Sequence, residues 1–220
     1  VADDNEIYVD QVGATANIDL EQLGSGNIIG GLLSAHGSMT NFDLDGTSMT
    51  LDVNQIGNNN KMLGDINADT FTGLFDFDGD TNSYTIQVDP TNANSADSSN
   101  VNVNVDGSTN TMTLDLAKTS LSSGADIDTI VQGNTNTVHI DLDVDSATNY
   151  IDLDGDSNTV DYNGDGYAGA YFKLEHDGGT RTFDIDQQST QDNDWLRVIS
   201  NGSGGTYCIQ QDDQGTSTSC

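Results

Sequence analysis

From Val131 to Gly166 apolar and polar residues alternate in short bursts, and each burst closes in a cluster of Gly, Asn, Asp, Ser and Thr. Val138, Ile140 and Leu142 take every second position after one cluster, Ile151 and Leu153 lead into the next, and Val160 and Tyr162 follow it. Alternation of period two predicts strands that bury one face, and the polar clusters predict the turns between them. Gly133 and Gly155 open two of these turns, and each is followed three residues on by Asn, Asn136 and Asn158, 22 residues apart. Such a repeat predicts a β-solenoid, in which each coil stacks on the one before.

The beat extends beyond this stretch. Gly13, Gly24, Gly46, Gly57 and Gly79 keep steps of eleven or twice eleven. Two segments displace the later glycines, residues 89–100 with the only proline, Pro90, and residues 118–126, and both read as loops inserted at turns. Asn stands three residues after the glycine at Asn27, Asn60, Asn82, Asn110, Asn136 and Asn158. Stacked on successive coils about 4.8 Å apart, those amides can bond one another in a row, or serve simply as turn formers. The expected architecture is all-β: a solenoid of about seven two-strand coils over residues 1–166, and a non-repeating C-terminal cap over residues 167–220. In that cap Tyr171–His176 and Arg181–Ile185 flank Asp177-Gly178-Gly179-Thr180, which predicts a hairpin.

Composition narrows the function. Only 34% of the 220 residues are hydrophobic, a shortage that a solenoid with one thin file of inward side chains tolerates. The formal charge is −31, and every acid except Glu6, Glu21 and Glu175 is Asp, a residue suited to turns and outer faces. Charge of this density implies a saline medium or divalent counter-ions. Nucleic acid is excluded as a partner, because phosphate needs Lys and Arg and the chain has five in all. No apolar run is long enough for a membrane span. The start Val1-Ala2-Asp3-Asp4 fits removal of a secretion signal, as it would an otherwise trimmed chain, and in an exported protein Cys208 and Cys220 predict an intrachain disulfide, with free thiols or a bridge between subunits as the alternatives. Asn201-Gly202-Ser203 is a sequon, a candidate glycan site.

Gln22-Leu23-Gly24-Ser25-Gly26-Asn27 and Gln55-Ile56-Gly57-Asn58-Asn59-Asn60 both spell Q-x-G-x-x-N, with looser copies at Gln11-Val12-Gly13 and Gln132-Gly133-Asn134-Thr135-Asn136. This resembles the repeat of curlins, the subunits of bacterial curli fibres. From Phe42 onward the Gln position is mostly apolar, at Leu44, Phe77, Val105, Val131 and Leu153. The resemblance implies an exported, self-assembling subunit in which Gln22, Gln55 and the Asn positions form structural ladders. If the glutamines point inward, Val12, Leu23 and Ile56 form an apolar outer strip.

Chemistry has few footholds. Asp161, Asn163 and Asp165, followed by Gly166, have the spacing of the first half of a calcium loop, without its distal glutamate. Asp152, Asp154 and Asp156, and Asp76, Asp78 and Asp80, repeat the alternation, so Ca2+ is the candidate ion at one or more of these triplets, with solvated turn acids as the alternative. His36, His139 and His176 lack the spacing of a zinc or haem site, and no catalytic constellation stands out. The expectation is a non-enzymatic, secreted structural protein whose partner is itself, assembling into an extracellular filament. The alternative is a calcium-dependent adhesin, S-layer or phage-fibre module that takes a surface glycan.

Overall fold

A computed structural model describes residues 5–30, 42–79, 81–89, 96–117, 122–166, 169–189 and 193–212. The chain forms strands β1 (Asp10–Val12), β2 (Thr15–Leu23), β3 (Phe42–Ile56), β4 (Lys61–Asp78), β5 (Thr81–Val88), β6 (Asn100–Asp106), β7 (Thr109–Leu116), β8 (Ser122–Ser123), β9 (Asp126–Gln132), β10 (Thr135–Asp145), β11 (Thr148–Asp165), β12 (Tyr171–Gln188), β13 (Trp195–Gly202) and β14 (Gly205–Asp212). Every strand pairing is parallel, and partners come from successive passes of the chain, which makes the molecule a β-solenoid of two-armed coils.

The first arm stacks Thr15–Leu23 on Ser48–Ile56, then Thr70–Asp78, Asn100–Asp106, Asp126–Gln132, Thr148–Asp154, Tyr171–Asp177 and Trp195–Asn201. The second arm stacks Lys61–Ile66, Ser83–Val88, Thr111–Leu116, Thr137–Leu142, Thr159–Gly164, Thr182–Gln187 and Thr206–Gln211. Gly133 and Gly155 sit one above the other: Gly133 N–H donates to Asp154 O at 3.1 Å. A Cβ on Gly155 would fall 1.8 Å from Gly133 O, so the coils close over this corner only because it carries no side chain.

The alternation read from sequence sets the core. Inward positions of the first arm run Leu20, Val53, Phe75, Val103, Thr129, Ile151, Leu174 and Val198 down one column, and those of the second arm run Met62, Tyr84, Met112, Val138, Val160 and Phe183 down another. The interior columns are almost wholly buried, while the outermost coils at both ends are only partly covered. Phe77 stacks on Tyr84 with ring centroids 3.5 Å apart, so aromatic surface fills the coils where the chain departs from Gln.

The insertions fall where a solenoid accommodates them. The register steps by 22 residues from Ser48 to Thr70 and from Asp126 to Thr148, by 23 from Thr148 to Tyr171 and by 24 from Tyr171 to Trp195; it lengthens to 28 across residues 89–99, to 26 across residues 117–125, and to 33 over the coil whose sequence includes residues 31–41. The C-terminal segment departs from expectation. Tyr171–Gln188 is one long strand in parallel register with β11, and β13 and β14 extend the stack on top of it. Asp177-Gly178-Gly179-Thr180 is a corner between the two arms of a coil and not a hairpin turn. The short polar turn carries the same residues in either setting; the parallel partner on each side selects the corner.

Candidate functional site

The most developed side-chain feature is an amide ladder inside the glycine corner. Asn82 Nδ2 donates to Asn110 Oδ1 at 2.8 Å, Asn110 Nδ2 to Asn136 Oδ1 at 2.9 Å, and Asn136 Nδ2 to Asn158 Oδ1 at 2.9 Å. Each Nδ2 also donates to the backbone carbonyl that closes its own corner, Gly79, Gly107, Gly133 and Gly155 in turn. Asn27 and Asn60 occupy the same column, and each donates to one backbone carbonyl of its own coil and one of the next, Gln22 and Ile56 for Asn27, Gln55 and Asp78 for Asn60. All six are buried.

The glutamines form the second ladder. Gln55 Nε2 donates to Gln22 Oε1 at 2.7 Å and to Lys61 O at 3.1 Å, and Gln22 Nε2 donates to Ile28 O at 3.0 Å. Both are buried, so the inward reading of the Gln position holds, and Val12, Leu23 and Ile56 are exposed. They do not form one strip: Leu23 lies over Ile56, while Val12 pairs with Asp45 in the other arm.

Sequence reading missed how the ladder ends. His176 takes the Gln position of its coil and lies within 2.8 Å of Asn158 Nδ2 through Nε2 and 3.0 Å of Ser200 Oγ through Nδ1. Asn158 Nδ2 can only donate, so Nε2 accepts, and Nδ1 carries the proton given to Ser200. Burial, reinforced by the nearby Arg181 guanidinium, lowers the His176 pKa and keeps this ring neutral. Arg181 replaces Asn in the next coil and donates to Tyr207 Oη and Gly179 O. The signal was present in the sequence, since His176 stands two residues before Gly178, as Gln22 and Gln55 stand before theirs.

The carboxylates proposed for calcium lie on outer faces. Asp161, Asn163 and Asp165 belong to strand β11 and not to a turned loop. Alternate residues of an extended strand lie about 6.6 Å apart, too far for three consecutive ligands to wrap one ion at the 2.3–2.6 Å that calcium requires. Carboxylates meet across coils instead. Asp165 pairs with Asp143, Asp154 with Asp177 and Asp78 with Asp106. Asp152 pairs with Glu175, and Asp76 accepts from Asn104 Nδ2 at 3.2 Å. Asp156 is exposed beside the glycine corner, and Asp80 lies outside the described residues.

Cys208 sits on β14, and Cys220 lies outside the described residues, as does Pro90. Asn201 is exposed on β13. Tyr171 and Trp195 stack in neighbouring coils with ring centroids 4.2 Å apart, beside the Lys173 and Arg197 column. Among the described residues, no helix is long and apolar enough to cross a membrane. No family model matches the chain, and no curated protein or solved structure matches it.

Proposed function

We propose that the chain is a structural subunit of an extracellular filament or matrix, growing by addition of further copies to the ends of the coil stack. One observation carries this reading. Among the described residues, β1 and β2 pair on one side only, with β3, and β13 and β14 pair on one side only, with β12. Each end thus offers a row of backbone donors and acceptors and a partly uncovered file of inward side chains, Ile18 and Leu20 at one end and Leu196 and Val198 at the other. The Asn and Gln ladders support it further, since a column of identical side chains extends without change of register. The curlin-like Q-x-G-x-x-N motif agrees with this role, as do the acid-rich outer faces with a saline exterior. Calcium would serve as a counter-ion between carboxylates that meet across coils, such as Asp154 and Asp177.

Electron microscopy of the purified full chain tests the proposal. Unbranched fibres that persist in EDTA are the expected result, and a protein that stays monomeric at high concentration overturns it. A second reading, a glycan-binding module, rests on the exposed Tyr171–Trp195 pair with Lys173 and Arg197 beside it, in a chain poor in both residue types. Saturable binding on a glycan array that Trp195→Ala abolishes would favour it.

A further inference from the structure

We propose that Asp115, His139 and Asp141 form a binding site for a divalent transition-metal ion of the zinc type, clamping two neighbouring coils together. Each of the three side chains offers one ligand atom, and these atoms all lie within 4.8 Å of one another. The coil register builds the group: Asp141 lies directly over Asp115, and His139 precedes Asp141 by two residues on the same outer face.

Three further side chains hold the three ligands. His139 Nδ1 stands 3.0 Å from Asp161 Oδ2, Asn163 Nδ2 donates to Asp141 Oδ1 at 3.0 Å, and Gln87 Nε2 donates to Asp115 Oδ2 at 3.2 Å. None of Asp161, Asn163 and Gln87 is a member of the triad. A carboxylate on the imidazole and an amide on each carboxylate are what orients ligands around a metal. Asp115 is also withdrawn from water, at 5% exposure, beside the in-register carboxylate of Asp141. Two anions in that setting are costly to hold together, and a cation between them offsets the cost.

The donor set selects the ion. Calcium takes six to eight oxygens, whereas one imidazole and two carboxylates, completed by water, suit zinc and its neighbours in the first transition row. The location suggests the purpose. Asp115 belongs to β7, His139 and Asp141 to β10, and between them the sequence carries the insertion of residues 117–125 that lengthens the step to 26. An ion here would tie the coils on either side of that insertion. The site lies away from both ends of the stack, so it stands or falls independently of filament growth.

Titration of the metal-free full chain with Co2+, followed by its visible d–d absorption and by competition with Zn2+, tests the inference. One ion per chain is expected, with a thermal midpoint that rises on adding Zn2+. His139→Gln is expected to weaken binding more than 100-fold and abolish the Zn2+-dependent rise, with an unchanged far-ultraviolet circular dichroism spectrum. Asp161→Asn, which only loosens the ring, should weaken binding about 10- to 100-fold. Asp154→Asn, outside the site, should leave it unaltered. Absence of saturable Co2+ binding, binding indifferent to His139→Gln, or displacement of Co2+ by equimolar Ca2+ would each overturn the assignment.

Discussion

Asn136 shows how much a single side chain carries here. It accepts from Asn110, donates to Asn158 and binds the carbonyls of Gly133 and Asp154, all inside the core. Truncation strands several buried partners, so Asn136→Ala should cost about 2–4 kcal/mol, read as a lowered midpoint in urea, while exposed Thr159→Ala should stay within about 0.5 kcal/mol. Gly155→Ala should cost at least as much as the Asn136 change, because the coil above has to shift. His176 sets a pH limit on the same ladder. Its folded pKa lies below the ordinary 6.5, so the unfolded chain takes up a proton that the folded ring refuses. The stability tied to the neutral ring is therefore full above about pH 6.5 and is lost as the pH falls below it. His176→Gln restores the amide of the earlier coils without the titration, so melting curves of variant and wild type should diverge in the variant's favour on acidification. The ladder residues were legible one by one, because Gly and Asn keep a fixed spacing. Which amide meets which depends on the coil register, and the insertions hide that from a reader counting along the chain.

The arms of the coils act as units through their outer columns. Asp43, Asp128, Asp143 and Asp152 all have pKa values raised above the ordinary 3.8, first by burial and then by neighbouring acids: Asp45 and Asp10, Asp126, Asp165 with Asp145 and Asp141, and Asp154 with Glu175, respectively. Lys173 offsets part of the effect at Asp152. A raised carboxyl protonates in the fold before it does in the unfolded chain, so the folded state gains stability as the pH drops into the range just above 3.8. In the His176→Gln background the melting temperature should accordingly rise on mild acidification, and added NaCl should flatten that rise by screening. Element by element, strands and corners follow from period-two alternation and Gly-rich turns. The segment 171–185 misled because Asp-Gly-Gly-Thr suits a hairpin as well as a corner; a partner strand on either side decides between them, and it lies more than twenty residues away in sequence. The His139 group was invisible for the same reason: Asp115 reaches it only through a 26-residue step between coils.

For the molecule as a whole, growth at the ends predicts a sharp separation between folding and assembly. Val198 faces inward on β13, in the last coil, packed against the core on one side and only partly covered. Val198→Lys should leave the circular dichroism spectrum unchanged and suppress fibres, seen as loss of thioflavin signal and of filaments on grids; fibres at wild-type yield would place the contact elsewhere. The two edges of the stack are also unequal. Glycine turns from Gly57 to Gly202 are tight on every coil, whereas the lengthened steps fall at the opposite corner, between the strand ends Val88 and Asn100 and between Leu116 and Asp126. Any polymer of such subunits would have a bare spine and, along the other margin, the points at which added chain joins the coils. Foreign peptides grafted at 89–99 should therefore be displayed in a single line, at intervals set by the length of one molecule.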